Sequence, residues 1–154
     1  LGRIDEAQAD AVRAVSVYEK VRRKLPRHPM VLAGNASCVM QRAEVECKIG
    51  DWPSALASTD EAMALGANRN DIAFQAFEAY WHIALVAGAD HGLAGEERKT
   101  TLDELVDKAL AQLGSTIQQG FQDLKRLETH PDYEGLRSHP RFQSLVEGLK
   151  AKAR

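Results

Sequence analysis

The stretch from Lys48 to Leu65, KIGDWPSALASTDEAMAL, constrains this chain more than any other. A helical pattern stops at Gly50 and restarts at once. Asp51 can accept hydrogen bonds from the exposed N–H groups of a new helix, and Pro53 is harmless in a first turn, where no internal partner is lost. Small residues, Ala55 and Ala62 among them, then recur at regular spacing, as they do where two helices press closely together. A bend of this kind predicts a helical hairpin.

The rest of the chain repeats the helical period. From Ile4, the positions Ala7, Ala11, Ala14, Tyr18, Val21 and Leu25 recur three or four apart, and Pro26 and Pro29 end that helix. A second helix is expected from Met30 to Ile49, carrying Leu32, Ala36, Val39, Met40, Ala43 and Cys47 on one stripe. The helix after the bend should reach Leu65 and end at the tripeptide Gly66-Ala67-Asn68. A fourth, from Asp71 to Ala87, is apolar almost all round, which marks it as the central helix, with Phe74, Phe77, Tyr80 and Trp81 packing between helices. After a loop, Thr101 and Glu104 form a capping box ahead of the clearest stripe, Leu102 to Ile117, which Gly120 closes. Short helical pieces follow near Asp123 to Leu127 and Tyr133 to Leu136, then an amphipathic helix from Pro140 to Lys150. No segment alternates in the manner of a strand, so the fold class is all-α. Short connections leave a closed bundle or a stack of hairpins.

At 154 residues, 44% apolar and 27% charged, the chain suits a single domain with a continuous core. A formal net charge of -2 gives no global attraction to nucleic acid or to anionic lipid. Cys38 and Cys47 fall on opposite sides of one helix and cannot bridge each other; reduced thiols fit a cytoplasmic location. No stretch reads as a membrane segment or a signal peptide. The opening LGRIDEA, without an initiator Met, is expected of a piece of a longer protein.

Self-similarity favours the stack. Gly2 and Ala7 recur as Gly50 and Ala55. The stretch KIGDWPSALASTDEAMALGAN resembles the middle of a tetratricopeptide repeat (TPR), through Gly50, Asp51, Trp52, Ala55 and Ala62, with Ala43 at the small position of the preceding helix. It departs from that pattern at Arg42, where the family has Leu, at Glu46, where it has an aromatic, at Thr59, where Phe is common, and at Ala67, where Pro ends the unit. The tail, through Gly120, Phe121, Asp123, Leu127, Pro131, Asp132, Leu136, Arg137, Pro140, Phe142 and Leu145, resembles the terminating segment of TPR arrays that follow bacterial serine/threonine protein kinases.

The resemblance implies a right-handed superhelical stack of helical hairpins with a C-terminal capping helix. Residues 1–29 are then a partial first repeat, 30–67 a second, 68–119 a third with an inserted loop at 88–97, and 120–154 the cap. It also implies a non-catalytic protein-interaction module of a larger bacterial signalling protein, with any kinase domain upstream. The alternative is a structural or self-association module without a separate ligand. Leading helices line the groove of such arrays, which carries the partner-binding role onto Ser37, Met40, Glu44, Gln75, Glu78 and His82; the carboxylates suggest a cationic or mixed peptide. The first helix, lacking a leading partner, is expected to leave a face partly bare and to pair with another copy as a homodimer.

Chemistry weighs less. His28, His82, His91, His130 and His139 are scattered, no two at the spacing of a helical metal pair, so neither metal nor cofactor is expected. No nucleophile elbow, kinase loop or Walker motif appears. His91, Gly92, Gly95, Arg98 and Lys99 precede a helix start where backbone N–H groups can hold an anion, but a flexible connection explains the same residues. Lys20, Arg22, Arg23, Lys24 and Arg27 suit the negative end of a helix dipole, and without interleaved aromatics they do not point to nucleic acid.

Overall fold

The computed structural model describes residues 2–66 and 69–152, and for residues 2–4 the backbone alone. Ala67 and Asn68 of the expected stop signal, the side chain of Ile4, and Leu1 lie outside the described residues. Within them the chain is all-helical: α1 (Gly2–Lys24), α2 (Pro29–Lys48), α3 (Trp52–Leu65), α4 (Asn70–Ala89), α5 (Gly95–Gln118), α6 (Leu124–Thr129), a 3₁₀ turn (Pro131–Leu136) and α7 (Pro140–Lys152).

The bend between α2 and α3 forms for the reasons its residues supply. Gly50 takes φ +86°, the left-handed conformation a glycine adopts without penalty, and ends α2. The Asp51 carboxylate then accepts from the Ser54 N–H at 3.2 Å, capping α3. The two helices run antiparallel, as cross-links between Arg42 and Glu61 and between Glu46 and Ser58 show, and Ala43, Ala55 and Ala62 between them are fully buried. Two positions where the repeat pattern departs become intelligible here. Arg42 donates to Ser58 Oγ at 3.0 Å and to Glu61 at 2.7 Å, and Ser58 donates to Glu46 at 2.5 Å. An ionic network thus occupies a seam where an apolar pair would serve.

α4 is the centre of the molecule. It packs on α2, α3 and α5, and Ile72, Ala76, Phe77, Ile83 and Ala87 have no exposed surface. Asp60 of α3 ties three helices, accepting from Tyr80 of α4 at 2.5 Å and from Lys108 of α5 at 2.8 Å. Burial first, and then this carboxylate, push the Tyr80 hydroxyl far up, so it remains a donor. Trp52 Nε1 donates to Asp90 at 2.9 Å, pinning the α2–α3 bend to the end of α4.

Two expectations need correction. α5 begins at Gly95, so Thr101 and Glu104 lie inside it rather than at its cap, and the loop expected at 88–97 shrinks to 90–94. Glu96 and Glu97 favour the positive end of the helix dipole, and the Arg98 guanidinium donates to the carbonyls of Asp90 and Leu93 at 2.6 Å each, holding the loop closed. On α1 the buried row is Ala11 and Val15, with Tyr18 half-buried, while Ala7, Val21 and Leu25 face outward. Tyr18 lies over Gly34 of α2, where a Cβ would come 2.2 Å from its ring.

The tail returns across α4 before α7 closes on α5. Phe121 stacks on Phe74 at 4.7 Å, and Tyr133, fully buried, packs against Phe77 at 5.3 Å. Leu127, Leu136, Phe142 and Leu149 complete the core at this end.

Candidate functional site

Side by side, α2 and α4 enclose a groove of about 730 Å³. Ser37, Met40 and Glu44 line it from α2, and Gln75, Glu78 and His82 line it from α4, so the six residues chosen from the sequence are brought together. Steps of three and four place each trio on one helix face. Gln41, Cys47, Lys48, Ala79, Ile83, Leu85 and Val86 line it too. The same spacing, carried one turn further, would have found Cys47, Lys48, Leu85 and Val86. The floor is therefore apolar and its rims polar.

Both carboxylates of the groove are met by other residues of the chain. Glu44 pairs with Lys48 at 2.6 Å on the α2 rim. Glu78 is held from outside the groove: Arg126 of α6 contacts its Oε1 at 2.6 Å, and the Tyr133 hydroxyl donates to the same oxygen. Ser37 already donates to the Ala33 carbonyl at 3.1 Å. His82 Nε2 stands 3.4 Å from Asp132, which also lies 3.7 Å from His130 Nδ1. The Cys47 thiol is pushed up by burial and then by Glu44, with Lys48 opposing, so it stays protonated at neutral pH.

Several short-range features aim the tail at α4. Asp123 caps α6 by accepting from the Arg126 N–H at 3.0 Å, which sets the start of the helix that carries the guanidinium. That guanidinium also lies 4.7 Å from the centre of the Phe74 ring. Trp81 Nε1 donates to the Asp132 carbonyl at 2.5 Å and fixes the 3₁₀ turn on α4. Burial, then Glu78, push the Tyr133 hydroxyl far above its ordinary value. Sequence reasoning missed Arg126, Asp132 and Tyr133 as neighbours of the groove. They lie about fifty residues from their partners, and no local pattern announces such a meeting.

The other sequence candidates go different ways. Arg98 is occupied by loop carbonyls, and Lys99 lies 3.9 Å from Glu96, so the cations ahead of α5 that an anion site would need are engaged. Among the described residues no group of three or more His, Cys, Asp or Glu is arranged to hold a metal ion, and no helix is long and apolar enough to cross a membrane. Cys38 and Cys47 are both free. No protein-family model, curated protein or solved structure matches this chain.

Proposed function

We propose that this chain is a non-catalytic protein-interaction module, a TPR-like stack of hairpins, whose groove between α2 and α4 takes a peptide segment that is apolar and uncharged at its centre. The observation that carries this reading is the internal pairing of both groove carboxylates, Glu44 with Lys48 and Glu78 with Arg126, above an apolar floor that includes Met40, Ala79 and Ile83. The carboxylates alone suggested a cationic partner; with their charge met inside the chain, apolar burial supplies affinity and the rim amides of Gln41 and Gln75 supply orientation. A rigid groove also lowers the ordering cost when an extended or helical segment docks. The likeness of the tail to segments that follow bacterial kinase domains makes signalling the setting in which such a module is used.

The test is selection from phage-displayed random dodecapeptides on the immobilised chain. Leu85 lines the groove yet is 48% exposed, so Leu85→Asp changes the groove without touching the core. Enriched peptides should carry apolar central residues without excess Lys or Arg, lose binding at least tenfold to Leu85→Asp, and slow alkylation of Cys47 but not of Cys38. Peptides that bind Leu85→Asp equally well defeat the reading. An unenriched library favours the alternative, a structural module without a separate ligand.

A further inference from the structure

α1 packs on α2 through Ala11, Val15 and Tyr18, and α2 is its main neighbour. On another face it presents Val17, Val21 and Leu25, which are 54%, 39% and 48% exposed. Steps of four make these three a single row, and the Leu25 N–H still donates to the Val21 carbonyl at 2.9 Å, so the row keeps helical register to its end. Ala14 and Ala7 extend it toward the N-terminus. Lone exposed apolar residues need no explanation, but an ordered ridge on a helix with one main neighbour does.

Two gradients run along this ridge. In size, the first half offers Ala7 and Ala14 and the second half Val17, Val21 and Leu25. In charge, the first half carries Asp5, Glu6 and Asp10 against the single base Arg3, and the second half carries Lys20, Arg22, Arg23 and Lys24 against the single acid Glu19. Arg13 sits between the halves, 3.7 Å from Asp10. At 100° per residue, Glu6, Lys20 and Lys24 border the row on its Val17 side, and Asp10 falls within the row, on the stripe between Val17 and Val21. A parallel partner helix would set large on large and like charge on like. An antiparallel copy sets the large half on the small half and the acidic border on the basic one, with a two-fold axis near Ala14 and Val17.

We propose that a second copy of this chain covers this face, through antiparallel α1–α1 pairing along Ala7, Ala14, Val17, Val21 and Leu25. One helix on its copy is an interface at the lower end of specific contacts, near 1,200 Å², so the dimer is a weak and salt-sensitive one. α1 contributes nothing to the groove between α2 and α4, so the two proposals fail separately.

The test is sedimentation equilibrium of the full chain from about 1 µM to about 1 mM, the range in which a small interface dissociates. The wild type should reach dimer mass. The variants Glu6→Lys/Asp10→Lys and Lys20→Glu/Lys24→Glu should each remain monomeric alone, with unchanged helical circular dichroism, and recover dimer mass when mixed one to one. Val21→Asp should be monomeric in every combination. A monomeric wild type across the range overturns the proposal, as does a mixture that fails to associate or a Val21→Asp dimer.

Discussion

The contact between the tail and Glu78 can be measured. Tyr133→Phe removes one hydroxyl and keeps a fully buried ring against Phe77. A hydrogen bond to an ionised acceptor contributes about 1.5–3 kcal/mol. Arg126 remains on the same oxygen of Glu78, so the carboxylate is not orphaned and the loss should fall near the lower end, about 1.5 kcal/mol, or about 3–6 °C in Tm for a chain of this length. Arg126→Met should cost less, about 1 kcal/mol, because its side chain is 40% exposed and the pair is screened by water. Glu78→Gln combined with Tyr133→Phe should lose about 1 kcal/mol less than the sum of the single changes. The tyrosine's folded value is raised, so its contribution is complete below the ordinary value of about 10 and is lost only as pH rises through the folded one. Urea denaturation of the wild type and the four variants at pH 7, with the wild type and Tyr133→Phe repeated toward pH 10, makes the measurement. Zero coupling between positions 78 and 133 would show that the tail is held by ring packing alone, and a larger loss for Arg126→Met than for Tyr133→Phe would make the guanidinium, not the hydroxyl, the main tie to Glu78.

Three further outcomes follow from the packing. Gly34→Ala should drive Tyr18 off α2, an overpacking cost of about 1–3 kcal/mol against a helix-propensity gain of about 1; hydrogen exchange should quicken in α1 and stay unchanged in α4, and uniform exchange would count against it. Both amide atoms of fully buried Asn35 lack a hydrogen-bond partner among the described residues, so Asn35→Leu, similar in shape, should stabilise the chain by about 1–2 kcal/mol in urea titration, and a loss would mean that the amide is satisfied in solution. The Asp90 carboxyl is held below its usual range first by Trp52 Nε1 and then by the Gly92 N–H. Trp52→Phe should therefore lower Tm at pH 7, and the gap should close as pH falls below the ordinary carboxylate value of about 3.9 and through the lowered folded one; a gap that persists in strong acid would assign the effect to the ring.

What could be read in advance was local or periodic. The α2–α3 bend was legible because Gly50, Asp51 and Pro53 each act within a few residues of themselves; the groove trios were assigned only through the resemblance to a repeat array, and their steps of three and four then keep each trio on one helix face. The start of α5 was not: Thr101 and Glu104 imitate a capping box, while the true start at Gly95 has no side-chain cap and leans on Arg98, whose partners are loop carbonyls. Nor was the outward ridge of α1. Val15 and Val21 are equally apolar, and only the position of Tyr18 over Gly34 decides which of their rows faces α2.

The same logic runs through the seams between helices. Arg42 with Glu46 and Glu61, Lys108 with Asp60, and Arg126 with Glu78 each set a cation against carboxylates from a neighbouring element or turn. Such pairs add little net stability where water reaches them, but each leaves an unmatched charge if one member is removed, so they fix which faces meet more than how strongly they adhere. For the groove the consequence is specific. With Glu78 matched by the tail and Glu44 by its own helix, no unmet carboxylate remains among the lining residues to draw in a basic ligand, and discrimination falls to the shape and apolar area of the floor. Binding there should vary little with salt, in contrast to α1 pairing, whose acidic and basic borders are open to solvent.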